Sequence, residues 1–198
     1  DGDLSKVPNL IYMAGNVVRN TPVKVEPHPN LRPDFDGLPL ERYLVPTPVL
    51  PLLSAHGCYH GKCGFCNVGY GGPATFSQLD ADLVVEHMLA LHTKYGARHI
   101  FFADEAITPR NLKVMADRLA QAGSPVHWCG CVRFDKALSR ELLEHMAQGG
   151  CRMLLFGLET AAERIIQRMM KGTQPAEMSR ILRDAAAAGI WNHTFFFF

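Results

Sequence analysis

Over residues 49–198, short apolar segments alternate with longer segments in which apolar residues recur at helical spacing. The apolar segments have the length and composition of strands buried in a sheet. They are Val49–Ser54, His99–Ala103, Val126–Phe134, Met153–Leu158 and Ile190–Phe198. The helical segments between them are 80–95, 109–122, 139–148 and the pair 161–171 and 175–188. Because helical crossovers of this length join parallel strands, the order predicts an α/β domain with a parallel sheet of about five strands.

Two architectures fit this order: a doubly wound open sheet and a (β/α) barrel. In both, ligands bind at the carboxyl ends of the strands. Those ends carry polar or sulfur side chains in this sequence, namely Ser54 to Cys58, Asp104 and Glu105, Arg133 to Asp135, and Glu159 with Thr160. We therefore expect the functional site at this edge of the sheet.

Residues 1–48 differ from the rest of the chain because they hold eight of the 13 prolines. Proline removes an amide donor and disfavours helix at the residue before it. Residues 10–18 can form a short hairpin that turns at Gly15-Asn16, and the remainder is interpreted as an extended linker. The predicted organisation is an N-terminal arm over 1–48 and a core domain over 49–198.

Composition and chain ends exclude several functional classes. Twenty Lys and Arg side chains balance 19 Asp and Glu side chains, so general nucleic-acid binding is not expected. The apolar runs are shorter than a membrane-spanning helix requires, and the start of the chain lacks the basic and apolar parts of a signal sequence. Because the chain starts without Met and ends in four Phe residues, we interpret both ends as cuts in a longer protein.

Three of the six cysteines, Cys58, Cys63 and Cys66, fall within nine residues directly after the first strand. Crowded thiols in a chain without a signal sequence indicate a metal or cluster in a reducing, cytoplasmic compartment. Glycines between the cysteines permit positive φ angles, so a compact loop can turn its thiolates toward one point. Three thiolates and one open position suit an iron–sulfur cluster whose fourth iron takes an external ligand.

A structural zinc site is the alternative interpretation of the same loop. Closed zinc sites need four ligands, and His56 or His60 could supply the fourth. The chain would then be a zinc-stabilised α/β binding module without redox catalysis. The residue pattern by itself leaves both interpretations open.

The loop resembles the cluster-binding loop of the radical S-adenosylmethionine (radical SAM) superfamily, whose usual pattern is C-x3-C-x-φ-C with φ aromatic. Cys58, Cys63 and Cys66 match its cysteines. Phe65 matches the aromatic position, although the first spacing is longer by one residue. The longer spacing is similar to that of the cobalamin-binding branch, and Pro33–Tyr43 resembles the connector before the radical domain of that branch.

The resemblance implies a partial (β/α)6 barrel, of the TIM-like radical SAM type, truncated after its fifth strand. It also implies a [4Fe-4S] cluster on the three cysteines, with S-adenosylmethionine chelating the open iron. One electron then cleaves S-adenosylmethionine to methionine and a 5′-deoxyadenosyl radical, or the site supports cobalamin-dependent methyl transfer. An electron donor such as flavodoxin or ferredoxin is the implied partner, and cobalamin would sit in a domain outside this chain. The substrate is not indicated.

Strand-end acids are candidate contacts to the cofactor. Asp104 and Glu105 stand where the superfamily often has a Gly-Gly-Glu motif that contacts the amino group of S-adenosylmethionine, but the glycines are absent. Glu159 follows a segment similar to the family's Gly-φ-Glu-Ser turn, with Thr160 in place of Ser. Glu105 as a helix N-terminal acid, and Glu159 as a helix cap, are the structural alternatives.

Arg133 and Phe65 complete the candidate cofactor contacts. Arg133 can pair with the carboxylate of S-adenosylmethionine or with an acidic substrate, and equally with Asp135 or Glu159 as scaffold. Phe65 either borders the adenine or packs the loop. A separate expectation concerns the run Phe195–Phe198, which is interpreted as a buried parallel strand.

The three remaining cysteines are expected to be structural. Cys129 and Cys131 alternate along the third predicted strand, and Cys151 begins the fourth. Free cysteines outside a reactive site behave as small apolar side chains. We therefore expect all three to be dispensable for cluster binding.

Overall fold

The computed structural model describes residues 2–22, 30–67 and 76–197, so part of the predicted arm (23–29) and Phe198 lie outside the described residues. The elements in chain order are a 3₁₀ turn Leu4–Lys6, β1 (Ile11–Ala14), β2 (Val17–Asn20), a 3₁₀ turn Leu40–Arg42, β3 (Val49–Leu52), β4 (Ala55–His56), β5 (Ser77–Gln78), α1 (Ala81–Tyr95), β6 (His99–Phe102), α2 (Pro109–Gln121), β7 (His127–Val132), α3 (Arg140–Gln148), β8 (Cys151–Glu159), α4 (Glu163–Arg168), α5 (Pro175–Ala187) and β9 (Trp191–Phe196).

Five parallel strands form the main sheet in the order β3-β6-β7-β8-β9. The spatial order equals the chain order, so each crossover moves one place in the same direction. A doubly wound sheet reverses this direction at its switch point, whereas a barrel does not. The fold is therefore a partial (β/α) barrel, and the predicted α/β class is confirmed.

The alternation of side chains along β7 shows how the sheet is covered. Trp128 and Val132 are buried beneath the helices, and Gly130 lies between them on the same face. A Cβ at Gly130 would lie 2.8 Å from side-chain atoms of both Phe102 and Ile107, so the sheet and the adjacent chain pack there without spare volume. The opposite face, which looks into the barrel, is half-buried and carries polar and sulfur side chains.

Polar side chains cap the starts of α1, α2 and α3. Asp80 accepts a hydrogen bond from the amide of Asp82 at the start of α1, and Thr108 and Ser139 cap α2 and α3 in the same way. Helix α1 ends at Gly96 in a left-handed conformation. Within the described ranges, the helices fall short of the length and apolar character needed to span a membrane.

The connector Pro33–Tyr43, which is the part of the arm that leads to the barrel, is bound to the end of α1. We call this contact the clamp. Lys94 Nζ lies 2.6 Å from a carboxylate oxygen of Asp36 and 3.1 Å from one of Asp34. The Tyr95 hydroxyl donates to Asp34 at 2.6 Å, and the ring of Phe35 packs edge-on against the Tyr95 ring. Further upstream, β1 and β2 form the predicted antiparallel hairpin.

Two features depart from the sequence-based expectations. β4 and β5 form a short antiparallel pair that the apolar pattern did not indicate, because each has two residues. Phe195, Phe196 and Phe197 expose 42%, 51% and 54% of their surface, so the expected burial of this run is wrong for the described residues. The cause is the position of β9 at the edge of the main sheet.

Candidate functional site

A cavity of about 250 Å³ opens at the carboxyl ends of the barrel strands. Its wall combines the cysteine loop, the ends of β7, β8 and β9 and the segment that follows α4. The lining residues that carry chemistry are Cys58, Cys63, Phe65, Cys66, Glu105, Cys131, Arg133, Glu159 and Lys171. Seven of the eight predicted site residues line this one cavity, and Asp104 is the exception.

The cysteine loop is a compact segment directly after β4. Gly57 and Gly61 take φ angles of 74° and 55°, which a side chain would disfavour. The amide of Cys66 donates to the carbonyl of Cys63 at 3.1 Å, which closes a tight turn between these two cysteines. Cys58 and Cys63 are half-buried and Cys66 is exposed, so all three thiols are reachable from the cavity.

The three loop thiols line the same cavity. Among residues 2–22, 30–67 and 76–197, no three His, Cys, Asp or Glu side chains form a group that could hold a single metal ion. A four-iron cluster takes each thiolate at a different iron, so its ligands stand apart, whereas a zinc site gathers its ligands around one atom. Three thiols on one cavity wall are the number and kind of protein ligand that a four-iron cluster with one open iron takes.

Arg133 brings positive charge to the thiols. Its Nη1 donates to Cys63 Sγ at 3.7 Å, and its Nη2 donates to the carbonyl of Lys171. The guanidinium also lies 5.9 Å from the ring centroid of Tyr59, whose hydroxyl donates to Asp135 at 3.3 Å. Burial and the nearby Asp135 carboxylate raise the pKa of Tyr59 well above its ordinary value. Arg133 thus contacts the cysteine loop at Cys63 and lies near the Tyr59 ring.

Glu159 forms a buried ion pair with Lys171, a residue that the sequence reasoning missed. The Nζ of Lys171 lies 3.1 Å from Glu159 Oε1, with the two side chains 7% and 11% exposed. Glu159 has a φ angle of 62°, rare for a residue with a side chain. A Cβ at Gly157 would come within 2.8 Å of Glu159 Oε1 and 2.9 Å of Lys171 Nζ, so a side chain at this position would displace the pair.

Asp104 and Glu105 are adjacent but have different surroundings. The carboxylate of Asp104 is buried and accepts hydrogen bonds from the amide of Ser54 at 3.0 Å and its hydroxyl at 2.6 Å. Burial raises the pKa of Asp104, and the hydrogen bonds from Ser54 oppose that change. Asp104 thereby ties the ends of β3 and β6 together, while Glu105 lines the cavity.

Phe65 lies between the cysteine loop and the edge strand. Its ring packs edge-on against Phe197 at a centroid distance of 5.1 Å, and Lys171 Nζ lies 5.6 Å from its centroid. The ring keeps 43% of its surface exposed and also lines the cavity. Both roles considered for Phe65, loop packing and contact with a ligand, are compatible with this position.

The three other cysteines differ among themselves. Cys151 is buried at the start of β8, as expected. Cys129 and Cys131 are half-buried on the inner face of β7, and Cys131 lines the cavity, so both are less buried than the apolar structural role expected of them implies. Partial burial raises the pKa of both thiols. Residues at alternate positions of a strand share a face, so the sequence indicates that Cys129 and Cys131 lie on the same face of β7. It does not indicate that this face looks into the barrel.

Comparison with known proteins identifies the family. The family model described as the radical SAM superfamily matches residues 52–198. The chain therefore belongs to the radical SAM superfamily. This membership also confirms the prediction of an enzyme domain.

Two curated methyltransferases align with almost the whole chain. An uncharacterized methyltransferase of Pyrococcus horikoshii is 27% identical over 199 residues, which cover 95% of this chain and 42% of the relative. Cytidylyl-2-hydroxyethylphosphonate methyltransferase of Streptomyces wedmorensis is 26% identical over 199 residues, which cover 98% of this chain and 36% of the relative. The chain thus spans less than half the length of either relative.

Solved structures of cobalamin-dependent radical SAM enzymes share the fold. OxsB with aqua-cobalamin bound superposes with a TM-score of 0.74 at 18% identity, over 98% of this chain and 30% of that one. TsrM from Kitasatospora setae, with cobalamin and a [4Fe-4S] cluster bound, has a TM-score of 0.74 at 14% identity, over 98% of this chain and 42% of that one. The likeness confirms the partial TIM-like barrel.

Proposed function

We propose that this chain binds a [4Fe-4S] cluster through Cys58, Cys63 and Cys66 and S-adenosylmethionine beside it. The observation that carries the proposal is the shared cavity. The three cysteines of a radical SAM loop line it together with Glu159 and Arg133, at the strand ends where such barrels bind their ligands. When bound, the cluster supplies the electron that cleaves S-adenosylmethionine reductively to a 5′-deoxyadenosyl radical.

Charged side chains around the cavity have complementary tasks. Arg133 donates toward Cys63 and offsets the negative charge that gathers when thiolates are brought together. Glu159 can accept hydrogen bonds from the ribose or the ammonium group of S-adenosylmethionine, and Glu105 can pair with the ammonium. Phe65 and Leu155 form an apolar part of the cavity wall, which limits the access of water. Asp104 acts indirectly, because its carboxylate is bound to Ser54.

The finer proposal concerns the full-length protein. The curated relatives include methyltransferases, and the structural neighbours bind cobalamin, so we propose cobalamin-dependent methyl transfer with cobalamin held outside this chain. The core over 49–198 would then be preceded by the arm and connector over 1–48. An electron donor such as flavodoxin or ferredoxin, and a cytoplasmic location that keeps the thiols reduced, belong to the same proposal.

Anaerobic reconstitution of the full-length protein with iron and sulfide tests cluster binding. The expected product is brown, carries about four irons per chain and shows an electron paramagnetic resonance signal that changes when S-adenosylmethionine is added. Colourless protein that retains one tightly bound zinc would instead support the zinc-stabilised module.

The products from S-adenosylmethionine then test the reaction class. With a reductant and cobalamin, S-adenosylhomocysteine is expected if a methyl group is transferred, and 5′-deoxyadenosine if the cofactor is cleaved reductively. A protein that binds the cluster but forms 5′-deoxyadenosine alone, with no effect of cobalamin, would contradict methyl transfer while leaving cluster binding intact.

A further inference from the structure

Three consecutive carbonyl groups after α4 accept hydrogen bonds from the cluster side of the cavity. The Met169 carbonyl accepts from the amide of Gly64 at 3.0 Å, and the Met170 carbonyl from His60 Nε2 at 2.9 Å. The Lys171 carbonyl accepts from the guanidinium of Arg133. Two of these donors belong to the cysteine loop, and the third also contacts Cys63.

The end of α4 explains why these carbonyls are free to accept. The last carbonyls of a helix have no partner within the helix and need donors from elsewhere. Here Met170 has a φ angle of 53° and Gly172 one of 72°, so the chain turns sharply and presents successive carbonyls to the loop. Because a positive φ is rare for methionine, this shape is held by its surroundings.

Side-chain packing reinforces the same contact. A Cβ at Gly64 would lie 3.2 Å from Met170 Cε, and a Cβ at Gly172 would lie 3.3 Å from His60 Cε1. The loop and the turn are therefore closely packed at both glycines. His60 is held by the turn through both a hydrogen bond and close packing, and its ring is not part of the cavity wall.

We propose that the turn Met169–Gly172 is a positioning element for the cysteine loop, and that His60 is the side chain that aligns the loop with this turn. This inference rests on the proposed cluster binding, because the loop it positions carries the proposed ligands. The turn itself contributes no ligand. It fixes where Cys58, Cys63 and Cys66 stand relative to the strand ends.

The substitution Gly172→Ala tests this role against Gly189→Ala. Both glycines follow a helix, with φ angles of 72° and 79°, so both variants bear the same left-handed strain. A Cβ at Gly189 meets nothing within 4 Å, whereas one at Gly172 presses on His60. Any difference between the variants therefore reports on the contact with the loop.

Cluster retention in the reconstituted full-length protein is the first readout. Loss of the cluster to an iron chelator is expected to be about 10-fold faster in Gly172→Ala than in wild type. This is the lower end of the loss in metal affinity that follows mutation of a residue supporting a metal ligand. Gly189→Ala should match wild type. Equal rates in the two glycine variants would overturn the proposal.

Thiol reactivity in the metal-free protein gives a readout that needs no cluster. The rate at which iodoacetamide labels Cys63, followed by peptide mass spectrometry, should rise in Gly172→Ala and not in Gly189→Ala. This arm still decides the matter if wild type binds no iron, so failure of the proposed function and failure of this inference remain distinct. Unchanged labelling would count against the turn.

A second pair of variants covers the case in which Gly172→Ala does not fold. His60→Phe keeps a ring of similar size but removes the donor to Met170, and His145→Phe changes a partly exposed histidine on α3. Faster cluster loss and faster Cys63 labelling are expected in His60→Phe alone. If both histidine variants behave as wild type, His60 does not align the loop with the turn.

Discussion

Lys171 Nζ lies 3.1 Å from Glu159 Oε1 at the wall of the cavity that the three loop cysteines line. The two side chains are nearly inaccessible to water, so each charge depends on the other for compensation. Glu159 ends β8 and Lys171 follows α4, so the contact closes the crossover between them. The pair holds the Glu159 carboxylate at the wall of the cavity.

The variant Lys171→Met should be less stable than wild type by about 3–5 kcal/mol, because removing one partner leaves an uncompensated buried charge. Urea unfolding of the metal-free protein measures this difference. Lys113→Met, on the exposed face of α2, is the matched control and should change the free energy of unfolding by less than about 0.5 kcal/mol. Similar values for both variants would show that the pair does not contribute.

The variant Gly157→Ala should displace the same pair without removing either charge. Its Cβ would fall within 2.9 Å of Lys171 Nζ, so the expected loss of stability is about 1–3 kcal/mol with weaker S-adenosylmethionine binding. Gly130→Ala on β7 is the control, since its Cβ clashes with Phe102 on the helix-covered face. That variant should lose stability but keep the affinity for S-adenosylmethionine, measured by calorimetry. Equal affinities in both would contradict the role given to Gly157.

The strands and helices could be predicted from the sequence because that information is local. The choice between a barrel and a doubly wound sheet could not, since the apolar pattern left both open and only the family resemblance implied the barrel. Each strand is an apolar run and each helix has its own spacing and cap, so β6 and β7 lie within two residues of the predicted limits at their amino ends. The cysteine loop was equally visible, since three cysteines within nine residues can be recognised without knowledge of the tertiary structure. The side chains at strand ends met at one cavity because parallel strands end at the same edge.

The contacts around Glu159 could not be predicted in this way. Lys171 is 12 residues from Glu159, and its inward direction depends on the turn after α4 and on the missing Cβ at Gly157. The different surroundings of Asp104 and Glu105 could be predicted in part, because neighbouring residues of an extended chain point to opposite sides. Which of the two would be bound by Ser54 depends on how β3 and β6 align.

The pH dependence of stability should reveal the raised pKa of Asp104. A carboxyl whose pKa is higher in the folded state binds protons more tightly there, so stability falls as pH rises from the ordinary value of 3.8 through the raised value. Asp104→Asn lacks this titration. The free energy of unfolding of Asp104→Asn minus that of wild type should therefore increase with pH, by about 1.4 kcal/mol per unit of raised pKa, and then level off. A difference independent of pH, in urea unfolding at several pH values, would contradict the assignment.

The clamp on the connector predicts a change in the pKa of Asp34. The hydrogen bond from Tyr95 is the main cause that lowers this pKa from 3.8 to about 2. The clamp therefore contributes its full stabilisation at pH values above the ordinary pKa of Asp34. This stabilisation is lost as the pH falls from about 4 to about 2. In Tyr95→Phe, the Asp34 pKa measured by carboxyl NMR titration should rise toward 3.8. Tyr43→Phe, at an exposed tyrosine of the same connector, should leave it unchanged, and a shift in both variants would argue against the clamp.

The cysteines give the most direct test of the cluster assignment. Alanine at Cys58, Cys63 or Cys66 leaves one iron without a protein ligand, so iron and sulfide per chain should fall sharply in each variant after reconstitution. Cys131 is the demanding control, because it lines the same cavity but stands on β7 outside the loop. Cys151, buried at the far end of β8, is the second control.

Both control variants should retain wild-type iron content, with a loss of stability of about 1–2 kcal/mol where a buried thiol is replaced by alanine. Full cluster content in Cys63→Ala would refute the assignment of the loop as the ligand set. Loss of the cluster in Cys131→Ala would instead place a ligand on β7, since Cys131 lines the cavity that the loop cysteines share. Because the two failures point to different residues, iron analysis across these five variants decides which thiols hold the cluster.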